Sequence, residues 1–177
     1  MGSQLPCGFI VNGIHCGQAK SARKKDLALF YSPDGCTAAG MFTKNLVRAA
    51  PVIVSQEHLA AGRNKNIRAV VVNSGCANAC TGKPGISDAE EMCRRVAKKI
   101  NVQPEQVLVA STGVIGHRLK MDKICKGINT LSKKIVNISP SPCFNPLTGE
   151  EMNAAEAIMT TDTVPKIQSV KFKIKNQ

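Results

Sequence analysis

One run constrains the fold more than any other part of this sequence. Arg68-Ala69-Val70-Val71-Val72-Asn73 is a β-branched run bounded by turn residues, and such a run reads as a buried strand. It leads directly into Asn73-Ser74-Gly75-Cys76-Ala77-Asn78-Ala79-Cys80-Thr81-Gly82-Lys83-Pro84-Gly85, a long loop of small residues. Glycines in such a loop let backbone come close to a ligand or to other backbone.

The elements after this loop follow from capping and periodicity. Ser87-Asp88-Ala89-Glu90 fits a capping box with Ser87 at the N-cap. Ala89, Met92, Val96 and Ile100 then form an apolar stripe, with Arg94, Arg95, Lys98 and Lys99 mostly off it. Val107-Leu108-Val109-Ala110 reads as a strand that ends in the Ser111-Thr112-Gly113 turn. A long helix is predicted from Met121 to Val136, with Ile124, Ile128, Leu131 and Ile135 inward. Ser139-Pro140-Ser141-Pro142 opens a loop reaching about Gly149. Glu151 to Met159 reads as a short helix, and Gln168 to Lys175 alternates like a half-exposed strand.

Before the valine run, Asp26 to Tyr31 reads as a strand ended by the Ser32-Pro33-Asp34-Gly35 turn. Thr37 to Thr43 reads as a second strand that could pair with it as a hairpin. Pro51 to Val54 reads as extended, Gln56 to Ala61 as a short helix ending at Gly62, and Asn64 to Asn66 as a polar turn. Alternating strands and helices imply an α/β fold, read as a single domain over 1–177. Aromatic residues are only 3% and Trp is absent, so the core has to come from Val, Ile, Leu, Ala and Met.

The formal charge of +12 permits binding to nucleic acid or an anionic membrane. The basic residues are scattered, however, and those on the helices read as solvated faces. One Tyr and five Phe offer little for base stacking. We therefore expect neither nucleic acid nor membrane as a partner, and no apolar run approaches membrane-spanning length. The start resembles a myristoylation site, but Pro6 stands where Ser or Thr is wanted. A cytoplasmic location is expected. The eight cysteines are read as free thiols. Cys76 and Cys80 lie in the Gly/Asn loop without zinc-ligand spacing, so no metal is expected. His15, His58 and His117 are isolated and receive no role.

Two segments could carry chemistry, Ala110-Ser111-Thr112-Gly113-Val114-Ile115-Gly116 and Ala157-Ile158-Met159-Thr160-Thr161-Asp162-Thr163. Both are rich in backbone and hydroxyl donors, the groups that stabilise an oxyanion or orient a polar substrate. Taken singly, each also reads as an ordinary turn or capping network. Neither pairs a nucleophile with a base, which places the missing chemistry on another polypeptide.

Taken together, these segments resemble the α chain of the glutamate N-acetyltransferase family, also called ornithine acetyltransferase. The resemblance rests on Asp26-Leu27-Ala28-Leu29, Ala38-Ala39-Gly40-Met41-Phe42-Thr43-Lys44-Asn45, Ala49-Ala50-Pro51-Val52, Asn73 to Gly82, Ser111 to Gly116 and Ala157 to Lys166. It implies an αββα sandwich like that of self-processing N-terminal-nucleophile hydrolases. It also implies a precursor that cuts itself before a threonine, which becomes the nucleophile of a β chain, commonly in an α2β2 assembly. The implied reaction moves acetyl from N2-acetyl-L-ornithine to L-glutamate through an acetyl-threonine, in arginine biosynthesis. Acetyl-CoA is a donor in some members, and no metal or bound cofactor is implied. By position, Thr112 and Gly113 match the oxyanion-hole pair and Thr160 a substrate-binding threonine. The family's Gly-rich, Lys-containing loop and its Ala-Thr junction lie beyond Gln177, so the chain alone is expected to be inactive. Two rival readings are a related self-processed amidohydrolase or aminopeptidase and a basic nucleic-acid-binding module.

Overall fold

The structure, a computed structural model, describes residues 5–19, 21, 23–62, 65–138, 149–170 and 172. Among them are four strands, β1 (Ile10–Ile14), β2 (Leu27–Cys36), β3 (Ile67–Asn73) and β4 (Val107–Ser111). Four α-helices accompany them, α1 (Ala50–Ala61), α2 (Gly82–Ile100), α3 (Met121–Val136) and α4 (Gly149–Ile158). The strands make one sheet in the order β1-β2-β3-β4. β1 and β3 both run antiparallel to β2, while β4 runs parallel to β3, the connection passing through α2. The mixed α/β reading holds.

One face of the sheet carries the main core. Leu27, Leu29, Val71, Val107 and Val109 pack against side chains of α1, α2 and α3, including Val54, Met92, Val96, Ile124, Ile128, Leu131 and Ile135. The helix stripes read from periodicity are therefore the buried faces. Each such side chain contributes at most about 1.5–3 kcal/mol of burial free energy.

The other face is covered by α4, which packs mainly on β1 and β2. Val11, Ala28, Val72, Ala154 and Ala157 form a second, smaller core there. Gly13 makes this approach possible, since a Cβ on it would stand 2.2 Å from the Asn153 carbonyl oxygen. Further along the same face, Val70, Leu108 and Ala110 stay half-buried.

The outer edge of β4 is sealed by α1 rather than by a further strand. Ser55 Oγ donates to the Val109 carbonyl at 2.7 Å and accepts from the Val109 N–H at 2.9 Å. His58 Nδ1 lies 2.7 Å from the Val107 carbonyl oxygen. These side chains satisfy edge groups that burial would otherwise leave unpaired.

Several expectations are corrected. β2 does not end at Ser32; it continues to Cys36 through a register shift, with the Arg68 guanidinium on the carbonyls of Ser32 and Pro33. No strand forms over Thr37 to Thr43, and the partners of β2 are β1 and β3. Pro51 to Val54 is the first turn of α1, where the missing proline N–H would be unpaired in any case. α2 begins at Gly82, so Ser87 lies inside the helix and is not its cap. Gly85 lets Thr81 pack directly on this first turn, since a Cβ there would meet Oγ1 at 1.9 Å. Gln168 to Val170 are not in a strand. Lys171 and residues 173–175 of that expected strand, Asn64 of the expected turn and residues 139–148 of the proline loop lie outside the described residues. Cys7 is disulfide-bonded, against the all-thiol reading, while Cys16, Cys36, Cys76, Cys80, Cys93 and Cys125 are free. Sequence spacing does not reveal which thiols folding brings within bonding distance.

Candidate functional site

β3 and β4 are parallel, with Asn73 opposite Ser111, so both chains leave the sheet at the same edge. Crevices outside the carboxyl ends of parallel strands are where α/β sheets commonly hold ligands. The fully buried Asn73 ties the two exits together. Its backbone carbonyl accepts from Thr112 N–H at 3.0 Å. Its side chain accepts from Ser111 Oγ at 2.6 Å and donates to the Cys76 carbonyl at 2.9 Å. Further out, Ala77 N–H donates to Val114 O and Gly116 N–H to Ala79 O, both at 2.9 Å. The loop of small residues and the Ser-Thr-Gly turn thus form one laced unit.

Gly113 has to be glycine here. Its φ is +127°, and a Cβ would stand 2.5 Å from the Gly75 carbonyl carbon and 2.7 Å from Cys76 N. Gly75, itself at φ +94°, rests against Ala19 on its other side. The loop's glycines therefore serve the approach of backbone to backbone.

A cavity of about 480 Å³ opens on this unit, lined by Lys24, Gly75, Thr112, Gly113, Val114, Thr160 and Thr161. It unites Thr112, Gly113 and Thr160, which are far apart in the chain, and its size suits a small molecule. Thr160 reaches it because α4 sits closely on Gly13 and ends just before, at Ile158. Lys24 Nζ donates to the Thr160 carbonyl at 2.9 Å. The neighbouring Lys25 pairs instead with Glu156 of α4. Asp162 lies just beyond, its carboxylate held below the usual range by Lys166.

The donor chemistry differs in detail from a pair of backbone amides. Thr112 N–H is already spent on Asn73. Thr112 Oγ1 is buried and has no hydrogen-bond partner. Thr112 and Gly113 both line the cavity, and a hydroxyl next to a turn N–H is a pairing of the kind that can hold an oxyanion. Among the lining residues there is no Cys, His or carboxylate. Among the described residues no cluster of His, Cys, Asp and Glu could hold a metal ion.

Sequence reasoning gave no site role to Lys24, or to Asp26, which entered only as the start of a strand and as part of the Asp26-Leu27-Ala28-Leu29 motif. No local signal marks a structural role for either. Other hollows lie among the described residues, and two of them contain apolar lining. One of about 520 Å³, between Phe30, Val11, Ala155 and Ile167, is mainly apolar. Another of about 300 Å³ lies between Leu46, Val47 and Cys80. Neither gathers the convergent donors found beside Thr112.

With this geometry in view, the chain can be set beside known proteins. The ArgJ family profile matches residues 10–177. The arginine biosynthesis bifunctional protein ArgJ of Thermotoga neapolitana is 46% identical over 98% of this chain and 40% of its own length. The protein of that name from Yarrowia lipolytica, described as mitochondrial, is 43% identical over 96% of this chain and 38% of its own. The chain therefore spans about two fifths of these relatives. The crystal structure of the Bacillus halodurans ArgJ protein superposes with a TM-score of 0.75 at 39% identity, covering 89% of this chain and 74% of that one. Ornithine acetyltransferase from Mycobacterium tuberculosis, solved with ornithine, gives 0.76 at 38% identity, covering 92% and 81%. Agreement in sequence along nearly the whole chain and in fold leads to one conclusion: the chain belongs to the ArgJ family.

Proposed function

We propose that this chain supplies the oxyanion hole and part of the substrate pocket of an acetyltransferase in arginine biosynthesis, glutamate N-acetyltransferase. It would move acetyl from N2-acetyl-L-ornithine to L-glutamate. The nucleophile is the N-terminal threonine of a β chain cut from the same precursor, and the assembly is α2β2. The observation that carries this reading is that Thr112, whose hydroxyl has no partner within the chain, Gly113 and Thr160 line one cavity.

The chemistry follows from these groups. The threonine hydroxyl attacks the acetyl carbonyl, its own α-amine taking the proton. Negative charge gathers on the carbonyl oxygen, and Thr112 Oγ1–H and Gly113 N–H donate to it. Collapse breaks the amide bond, and the ornithine amine leaves with the proton. Glutamate's amine then attacks the acetyl-threonine ester through the same hole, the ester C–O bond breaks, and the proton lost by the glutamate amine passes through the threonine α-amine to the departing threonine oxygen, which restores the hydroxyl. Thr160 helps hold the amino-acid part of the substrate. Loss of one such donor typically costs about 10²–10³ in rate. No metal or bound cofactor is needed, and acetyl-CoA could serve as an alternative acetyl donor.

The half-buried Val70, Leu108 and Ala110 support a second sheet layer supplied by the β chain, completing an αββα sandwich. No helix of the described residues is long and apolar enough to cross a membrane, and we place the enzyme in the cytoplasm. The test uses the complete gene product: intact masses under denaturing conditions, N-terminal sequencing and acetyl transfer. Two chains, one beginning with threonine, and glutamate-dependent consumption of N-acetylornithine are expected. A single uncut chain would overturn the mechanism. Consumption of N-acetylornithine with water alone would make it a related amidohydrolase.

A further inference from the structure

The machinery proposed above consists of exposed turns, and something must hold them still. The residue best placed to do so is Asp26, whose acidic side chain is fully buried. Its carboxylate accepts three backbone N–H groups, Cys16 at 2.6 Å, Gly17 at 3.1 Å and Ala19 at 2.8 Å. A carboxylate with several such donors fixes a loop more firmly than neutral bonds would. The Asp26 carbonyl also accepts from Ser74 N–H at 3.0 Å, at the exit of β3.

The 16–19 loop so fixed touches both ends of the candidate oxyanion unit. Ala19 lies under Gly75, where a Cβ would be 3.4 Å from the Ala19 Cα, and Gly75 is the backbone on which Gly113 rests. At the other end, the buried Gln18 accepts from Lys120 N–H at 2.8 Å, where the Gly113 turn passes into α3. Lys120 Nζ returns a bond to the Gln18 carbonyl at 3.1 Å. The unit is thus held from beneath at Gly75 and at its downstream end, through a loop ordered by one carboxylate.

We infer that Asp26 is a positioning residue for transition-state stabilisation, acting through the 16–19 loop to set the Gly113 N–H and the Thr112 hydroxyl. The inference rests on the acyl-transfer reading above. It does not require Asp26 to touch substrate, and the bonds show why it need not.

The test uses the complete enzyme and two variants. Asp26→Asn keeps the shape but turns an N–H₂ toward backbone donors. Gln18→Leu leaves the carboxylate intact and removes only the side-chain bond to Lys120 N–H. Active sites are counted by labelled acetyl-enzyme, so that misfolded protein does not enter the rate. We expect kcat per active site to fall about 10- to 100-fold in Asp26→Asn, with KM for N-acetylornithine changed far less. Gln18→Leu should give a smaller fall of the same kind. Combining Asp26→Asn with Thr112→Val should cost clearly less than the product of the two single effects, because both act on one oxyanion. A merely structural Asp26 would lower the count of active sites, leave kcat per site unchanged and give multiplicative effects. That result in both variants would overturn the inference. If the wild-type enzyme transferred no acetyl at all, the acyl-transfer reading would fail instead.

Discussion

Thr112 and Gly113 are neighbours whose substitution should have opposite consequences. Thr112 Oγ1 is buried and makes no hydrogen bond, so folding gains nothing from it. Thr112→Val should leave stability within about 0.5 kcal/mol of the parent, or raise it. It should lower kcat about 10²–10³-fold if the hydroxyl serves the oxyanion. Urea unfolding and steady-state kinetics on the same preparation separate the two effects, and unchanged kcat would remove the hydroxyl from the site. Gly113→Ala should instead damage the fold, because its Cβ would meet Gly75 and Cys76 backbone that no rotamer change can move. A loss of about 2–4 kcal/mol is expected. Gly116 is the matched control, with φ +79° and nothing within 4 Å of its Cβ position. There only the left-handed backbone penalty applies, about 1–2 kcal/mol. If the two alanine variants melted together, the close approach at Gly113 would not be a constraint.

At the scale of elements, the edge of β4 at Val109 depends on one hydroxyl, as the edge at Val107 depends on His58. Ser55→Ala would leave both polar groups of Val109 without this partner in a buried place. It should cost about 1–3 kcal/mol in urea unfolding. Ser132, equally buried on α3 but with no partner for its hydroxyl, should tolerate alanine without loss. Similar costs for the two would refute the edge role. The same contrast shows what could be read from sequence. The apolar stripes of α2 and α3 and the valine run of β3 repeat at the period of their own element, so their inward faces were legible. β1 was missed because Asn12 and Gly13 break its apolar pattern. Gly13 is there for α4, a partner about 140 residues away. Pro51 to Val54 looked extended by composition, yet proline in the first turn starts α1. The site was legible as two donor-rich turns and, through the family resemblance, as Thr112, Gly113 and Thr160. Their meeting in one cavity, the unpartnered hydroxyl, and the parts of Lys24 and Asp26 arise only from tertiary placement.

The molecule as a whole presents a surface that fits an unfinished assembly. Met41, Leu46, Val47, Val114 and Ile115 are large apolar side chains left exposed, Leu46 at 99%. Backbone bonds place these segments side by side, Ala50 N–H to Asn78 O and Gly116 N–H to Ala79 O. The result is a run of exposed apolar side chains from Val114 at the rim of the cavity past Cys80 to Leu46 and Val47, the kind of surface that marks a contact site when contiguous. Under the proposed function the β chain would cover it, and this can be tested without disturbing the fold. Leu46→Asp alters a side chain that touches almost nothing within this chain, so its unfolding midpoint should not move. It should still weaken recovery of the β chain when the complete gene is expressed. Cys80, exposed beside Leu46, gives a second readout through alkylation at pH 8. Burial pushes the Cys93 thiol up to about 12, and burial with the nearby Asp26 carboxylate does the same to Cys16. A raised thiol pKa keeps the sulfur protonated and unreactive at that pH, so neither should compete for reagent. Cys80 should be protected in the assembled enzyme and become reactive when Leu46→Asp loosens it. Normal assembly of Leu46→Asp, with Cys80 reactive throughout, would mean that the strip is ordinary surface and that the partner chain binds elsewhere.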